Sequence, residues 1–435
     1  MRWVIVFLLV LFFVACDSIN MTGPDPSEIR DDPSSASDSL TDSTSIPADS
    51  VDVDSSPQDF PFDKPYIPVF KGPRFFFSTK GTDAPHSLAE APNGDILIGG
   101  TTEGVTAPTD GTLSKPLFLR IRPDASLVDS TVYRPLGYGR VDFLSTLGGQ
   151  SDVLIYSYEL SIPGYSTINR GYKRYAVGPG GELQSMRVNF EYSDTRRNSP
   201  ILLTAEGNVL LDVTYPGSRK RELTLVSNYG ATRWVYNVPE WRQIFGVSES
   251  REGDIVFVTP GNGGQFRIIR LDGRGVELSS HVHGDLQFDS TVRNTAAFDD
   301  GVVVLGNRRH PSTNEKRMFI TRYSNLGDEM WDISSPDWID HFGEKILPLP
   351  SGGAIVAWTQ FLGWDIGRRS GYFRISAFGE IVWMREFEPN QGTAAITELL
   401  LLSSNQLVVA GFIGPGRLGG YGGDPLDIVV HIDAL

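Results

Sequence analysis

The sequence predicts an all-β fold of seven repeated units closed into a ring. Three observations predict it. First, a short apolar run preceded by a polar turn recurs along the chain, at intervals of about 46 to 58 residues. The runs are NGDILIGGT at Ile96, SDVLIYSY at Leu154, EGNVLLDVT at Leu210, EGDIVFVT at Val256, DDGVVVLGN at Val303, GGAIVAWT at Val356 and SNQLVVAGF at Val408. Second, each is followed by another apolar run: LFLRI, YKRYAV, LTLV, FRIIRL, MFITRY, YFRI and DIVVHI. Runs this continuous belong to strands covered on both faces. Third, six of the seven pairs lead through a turn into a further strand, and long amphipathic helical patterns are absent. Four-stranded units stacked face to face are the blades of a β-propeller.

The turns carry a signature. NYGATRW, NLGDEMW and AFGEIVW place Trp234, Trp331 and Trp383 four residues after Gly230, Gly327 and Gly379, glycines that supply positive φ in a hairpin. GPGGELQS and DGRGVELS are variants with a small residue in the tryptophan position. The last unit, from TELLLLSSNQLVVAGF to DIVVHIDAL, has three strands and no fourth. The segment GPRFFFSTKG, Gly72 to Gly81, is predicted to complete it, which closes the ring and removes a free edge.

The N-terminal part has another character. Trp3 to Val14 is an apolar run after Arg2, too short for a stable membrane-spanning helix, and it ends in Phe13-Val14-Ala15-Cys16. Cys16 is the only cysteine, so no intrachain disulfide forms and the fold stands on burial. From Asp17 to Val69 twelve Asp and Glu face only Arg30 and Lys64. This Ser-, Asp- and Pro-rich stretch is expected to be a disordered, self-repelling tether. The Asp52-x-Asp54 pair in it lacks the spacing of a calcium loop. The expected division is residues 1–15, signal; 16–69, anchor and tether; 70–435, propeller. The net charge of -15 argues against a nucleic-acid partner.

These features carry a family likeness. The hydrophobic leader ending at Cys16 resembles a bacterial lipoprotein signal, with Phe13 where leucine is usual. The likeness implies cleavage before Cys16, acylation of its sulfur (palmitate among the chains), and attachment to a membrane of the cell envelope, the outer membrane included, on its periplasmic or surface side. From Gly72 to Leu435, APNGDILIGGTTEG and the Gly-x-x-x-Trp pattern resemble bacterial seven- or eight-bladed propeller lipoproteins with quinoprotein-like or Gly-Asp-rich repeats. A kelch-like diglycine stands at Gly99-Gly100. Quinone-dependent relatives commonly carry a vicinal cysteine pair; this chain has none, and no cofactor is expected. A relative nearer in topology is the propeller lipoprotein of the outer-membrane assembly machinery, a scaffold without catalysis. GGYGGDPLD, Gly419 to Asp427, matches the calcium-binding β-helix nonapeptide, but in a single copy, and is read as the loop between the second and third strands of the last unit.

Catalytic motifs are missing: there is no Gly-x-Ser-x-Gly, His-Glu-x-x-His or Gly-x-x-x-x-Gly-Lys. His281 and His283 alternate on one strand, expected to be an exposed face without a third metal ligand. His431 is expected in the interior. Asp337, Asp340 and Glu344 read as a solvated acidic loop before the sixth unit, or as a carboxylate pair for glycan cleavage. One pattern points to binding. The fourth-to-first and second-to-third connections share one face of a propeller. That face collects Arg196, Arg197, Arg219, Lys220, Arg221, Arg308, Arg309, Lys316, Arg317, Arg368, Arg369 and Arg417, with Trp241, Trp338, Trp364 and Tyr421. Guanidinium forks hold carboxylates and flat aromatics stack on sugars or anchor interfaces. The expectation is a lipid-anchored envelope scaffold or binding module for a protein or an acidic glycan. The alternative is an envelope enzyme, a polysaccharide hydrolase or lyase or a quinoprotein-like protein, working at the propeller mouth.

Overall fold

The computed structural model describes residues 72–79, 82–107, 111–133, 138–147, 150–159, 169–178, 181–191, 196–239, 242–284, 289–309, 312, 316–335, 341–363, 367–387, 393–414 and 426–435. Cys16, the acidic segment to Val69, Trp241, Trp338, Trp364, Arg417, Tyr421 and most of GGYGGDPLD lie outside these residues.

The described chain is strands and turns. β1 (Arg74–Phe77) comes first. Blade one is β2 (Thr82–Glu90), β3 (Ile96–Ala107), β4 (Gly111–Ile121) and β5 (Leu127–Val132); blade two is β6 (Tyr138–Leu147), β7 (Gln150–Glu159), β8 (Asn169–Val177) and β9 (Leu183–Glu191). Blade three is β10 (Arg197–Leu203), β11 (Val209–Thr214), β12 (Arg221–Val226) and β13 (Thr232–Asn237); blade four is β14 (Gly246–Glu249), β15 (Ile255–Pro260), β16 (Phe266–Leu271) and β17 (Glu277–His283). Blade five is β18 (Asp289–Phe298), β19 (Gly301–Arg309), β20 (Lys316–Ser324) and β21 (Glu329–Ser334). Blade six is β22 (His341–Pro348), β23 (Ala354–Gly363), β24 (Gly367–Ile375) and β25 (Ile381–Phe387); blade seven is β26 (Thr393–Leu401), β27 (Gln406–Gly414) and β28 (Asp427–Ala434). Each is an antiparallel meander, and one parallel bridge, Arg368 to Thr393, links blades six and seven.

The expected closure is present. β1 pairs antiparallel with β28, Phe75 opposite Val430 and Phe76 opposite Val429. The two-residue period of a strand turns Phe75 inward, 7% exposed, and Phe76 outward, 51% exposed. Phe75 joins Ile96, Leu117 and Ile121 of blade one and Val408, Ile428 and Ile432 of blade seven in one apolar cluster. Polar bonds reinforce the seam: the Ser403 amide and hydroxyl donate to the Glu90 carboxylate at 2.7 and 2.6 Å, and the Asp83 amide to the Leu426 carbonyl at 2.8 Å.

Burial follows position in the blade. β11 and β15 are buried except at their last residue, whereas β13 alternates between exposed and half-buried. Middle strands are covered by neighbouring blades, and outer strands form the rim of the disc. The apolar clusters straddle blade boundaries, as with Ala296, Val303 and Ile320 of blade five against Ile346, Val356 and Phe373 of blade six.

The turn signature now has a physical cause. Gly275, Gly327 and Gly379 have positive φ, and a Cβ on each would meet the preceding blade's outer strand: Trp234 at 2.7 Å, His281 at 2.5 Å and Trp331 at 2.9 Å. Trp234 and Trp331 also donate their indole N–H to Gly273 and Ala377 carbonyls of the next blade, at 3.1 and 2.9 Å. His281 takes the covering position in blade four, where DGRGVELS has no tryptophan.

Buried arginines on third strands form a second set of inter-blade ties, hidden in the sequence inside apolar runs. Arg174 is 1% exposed and donates to the Gly207 carbonyl of the next blade at 2.5 Å. Arg270, 6% exposed, binds Asp254 at 2.8 Å and the Phe298 carbonyl at 3.1 Å. Arg322, 3% exposed, donates to the Gly352 and Ala377 carbonyls, both at 3.0 Å, and to both oxygens of Asp300.

Candidate functional site

The innermost strand of each blade lines the central channel, and six of these strands bulge. A bulge extrudes one residue that has no partner across the ladder. On β2 that residue is His86, with a second shift that leaves Asp83 unpaired at the start of the strand; on β6 it is Asp142, on β10 Ile201, on β18 Arg293, on β22 Glu344 and on β26 Thr397. β14 pairs without a shift. The second strand makes room in three blades: a Cβ on Gly100, Gly306 or Gly411 would lie 2.3, 2.6 or 2.1 Å from the carbonyl oxygen of Ala84, Thr291 or Ala395. The diglycine at Gly99-Gly100 is therefore a bulge marker.

The extruded residues and their neighbours meet across blades. Lys345 of blade six binds Glu398 of blade seven at 2.9 Å, and Arg140 of blade two binds Asp142 at 2.5 Å. Burial, with the Arg140 and Lys345 cations beside it, holds His86 of blade one down to about 4, so its imidazole is neutral at pH 7. Burial raises the Glu398 carboxyl against the opposing pull of Lys345, and Asp142 adds to the rise. Burial also raises Asp142, opposed by Arg140 and a hydrogen bond from Tyr172. Glu344 is raised by burial and pulled down by Arg293, Arg368 and Thr359. Arg293 is exposed and has no ion pair among the described residues. The result is a polar ring of mixed charge, with contributions from blades one, two, five, six and seven. It offers donors and acceptors of both signs to a polar ligand.

This corrects two expectations. Glu344 does not sit in a solvated loop: it belongs to β22, on the channel, because the sixth blade starts at His341. Asp337 and Asp340 lie outside the described residues. His281 and His283 do not face solvent either. They turn onto blade five, where the His283 ring lies 4.0 Å from the Tyr323 ring, and burial lowers its pKa to about 4. His431 is fully buried beside Phe387, as expected. Among the described residues no three of His, Cys, Asp and Glu converge as a metal ion requires.

The rim arginines differ from one another. Arg308 is half-buried, with its guanidinium on both oxygens of Asp332 at 3.2 Å and 4.7 Å from the Phe319 ring centre. Arg369 binds Glu386, and Arg221 binds Asp212. Arg309 is exposed. Arg368 is half-buried and faces the channel carboxyl of Glu344. The forks of Arg308, Arg369 and Arg221 thus meet carboxylates of their own blades. The channel ring was missed because its members, from His86 to Glu398, lie up to 312 residues apart; the glycine ending ILIGG, VVVLG and LVVAG is the signal that marks three of the bulges.

No protein-family model matches the chain, and no curated protein matches it. Solved structures do resemble it. Sqt1 of Chaetomium thermophilum, bound to the N-terminus of ribosomal protein L10, is similar with a TM-score of 0.47 and 13% identity, over 83% of this chain and 98% of that one. A protein from Lactobacillus plantarum matches with 0.43 and 13%, over 69% and 84%. An ulvan lyase of polysaccharide lyase family PL25 matches with 0.45 and 8%, over 81% and 95%. At these identities the function must be argued from the chain's own residues.

Proposed function

We propose that the protein is a lipid-anchored binding module of the cell envelope, held to a membrane through Cys16 and engaging a protein or an acidic glycan at the channel mouth and its rim. The observation that carries the binding reading is the ring of bulge-extruded and neighbouring polar side chains, His86, Asp142, Arg293, Glu344 and Thr397 with Lys345 and Glu398. A fold that needed only stability would gain little from gathering half-buried charged and polar groups around the channel.

The test is affinity capture from envelope extract with the full-length chain, wild type and Arg293→Ala. Arg293 is exposed and unpaired among the described residues, so its loss leaves the melting temperature unchanged while captured ligand falls about tenfold, the effect of one charge-assisted bond. Equal capture by both proteins would remove the channel mouth as the site. A second reading, an envelope enzyme acting on polysaccharide, is favoured by the neighbouring Glu398 and Asp142 carboxyls, both raised by burial. Cleaved glycan in the same incubations would support it.

The anchor has its own test. Cys16 is the only cysteine, at the end of an apolar leader. Stable attachment takes more than one acyl chain, at about 0.8 kcal/mol per buried methylene. Cys16→Ser is expected to move the protein from the membrane to the soluble fraction with its melting curve intact. Persistence on membranes after a high-salt wash would refute the anchor.

A further inference from the structure

Away from the channel, blade three carries a cleft of about 440 Å³. The volume falls within the roughly 300–1,000 Å³ typical of small-molecule sites. Its wall is a row across three strands. Arg197 on β10 lies opposite Thr214 on β11, which lies opposite Arg221 on β12. Directly opposed residues share a face of the sheet, so the two arginines flank Thr214, two strand spacings or roughly 10 Å apart at the backbone. The connection from β11 to β12 folds over as a turn, with the Ser218 amide donating to the Tyr215 carbonyl at 3.0 Å and Gly217 at φ 80°. It brings Tyr215 and Lys220 to the cleft, and Gln243 arrives from the segment leading to blade four.

The charges are set unequally. Arg221 is fixed by Asp212, its Nε donating to Oδ1 at 2.7 Å. Lys220 binds Glu222 at 2.6 Å and lies 4.9 Å from the Tyr215 ring centre. The Tyr215 hydroxyl donates to Glu222 at 2.6 Å. Asp212 thus holds Arg221 and Glu222 holds Lys220, with the Arg196 cation also acting on Glu222. Arg197 remains, exposed and without an ion pair or hydrogen bond among the described residues. A fork left over beside two anchored cations is arranged for a carboxylate that the protein does not supply. The other lining groups, the Thr214 and Ser218 hydroxyls, the Gln243 amide and the Tyr215 ring, suit a ligand rich in hydroxyls.

We propose that this cleft is a subsite for an acidic sugar, with Arg197 clamping its carboxylate and Thr214, Ser218 and Gln243 meeting its hydroxyls. This rests on the binding reading above only in taking an envelope glycan as the ligand's source; the site is separate from the channel ring.

The experiment is calorimetric titration of the full-length chain with trigalacturonate at low salt, beside neutral trigalactose and inorganic phosphate. Trigalacturonate is expected to bind, more weakly as salt rises, since the charges are exposed. Arg197→Ala should lower its affinity at least about tenfold, and Arg197→Lys should not restore it, because the planar fork is lost. Neither is expected to change the melting temperature, as Arg197 has no partner to lose among the described residues. Arg293→Ala should leave this affinity intact, so a failure of the channel reading and a failure of the cleft are separable. Equal binding by Arg197→Ala overturns the proposal. So does equal binding of trigalactose, or phosphate displacing trigalacturonate at matched concentration, which would make the cleft a general anion site.

Discussion

Replacing β1, Arg74 to Phe77, with a Gly/Ser stretch of the same length is expected to lower the melting temperature by about 10 °C and to make the ring self-associate. The strand contributes Phe75, 7% exposed, and part of Phe77 to the cluster between blades seven and one. Burying these two rings is worth about 3–5 kcal/mol. The ladder to β28 is lost as well, at about 1 kcal/mol per hydrogen bond. For a domain of this size about 2–4 °C follows each kcal/mol at most. Ile428, Val429 and Val430, now fully buried, would lie on an open edge, which pairs with other chains. Differential scanning calorimetry and light scattering read both effects. Unchanged melting with a monodisperse protein would sink the closure.

Arg322→Met is the second large effect, an expected loss of about 2 kcal/mol. The weight does not lie in the ion pair: the Asp300 side chain is 66% exposed, and water can take over its charge. It lies in the Gly352 and Ala377 carbonyls of blade six, which Arg322 of blade five satisfies from a buried position. Ala377 keeps the Trp331 indole N–H, so Gly352 is the acceptor left without its donor, at a cost of about 1–3 kcal/mol. Arg369→Met is the control. Its pair with Glu386 is 36% exposed on the arginine side, so a change below about 1 kcal/mol is expected from chemical denaturation. Equal losses for the two variants would mean that Arg322 ties nothing between blades.

The blade architecture was legible because middle strands are buried on both faces and so read as unbroken apolar runs. The closing strand was legible because three phenylalanines in GPRFFFSTKG stood beside a blade one strand short. The glycine-tryptophan turns were visible as a pattern, but their reason was not: Trp331 covers Gly379, which lies in the next repeat. The channel ring was illegible for two physical reasons. A bulge breaks the two-residue period, so Asp142 and Glu344 cannot be assigned a face by counting. Lys345 and Glu398 sit on different blades, and only ring closure brings His86 near them. The buried arginines were hidden by their neighbours, since FRIIRL and MFITRY read as hydrophobic strands with a stray charge.

The pairing of β1 with β28 in blade seven has a mechanical meaning. Any pull transmitted from the N-terminal segment enters the ring through β1, whose first residue, Arg74, pairs with His431 near the end of β28. The strands are antiparallel, so opposing tension on the two termini loads their pairs one after another, Arg74–His431 first and Phe77–Ile428 last, rather than all together. The seam is thus the compliant joint of the disc. A load reaching it through the N-terminal segment would peel one short strand, drawing Phe75 from the cluster it shares with blades seven and one before the other strand ladders are loaded.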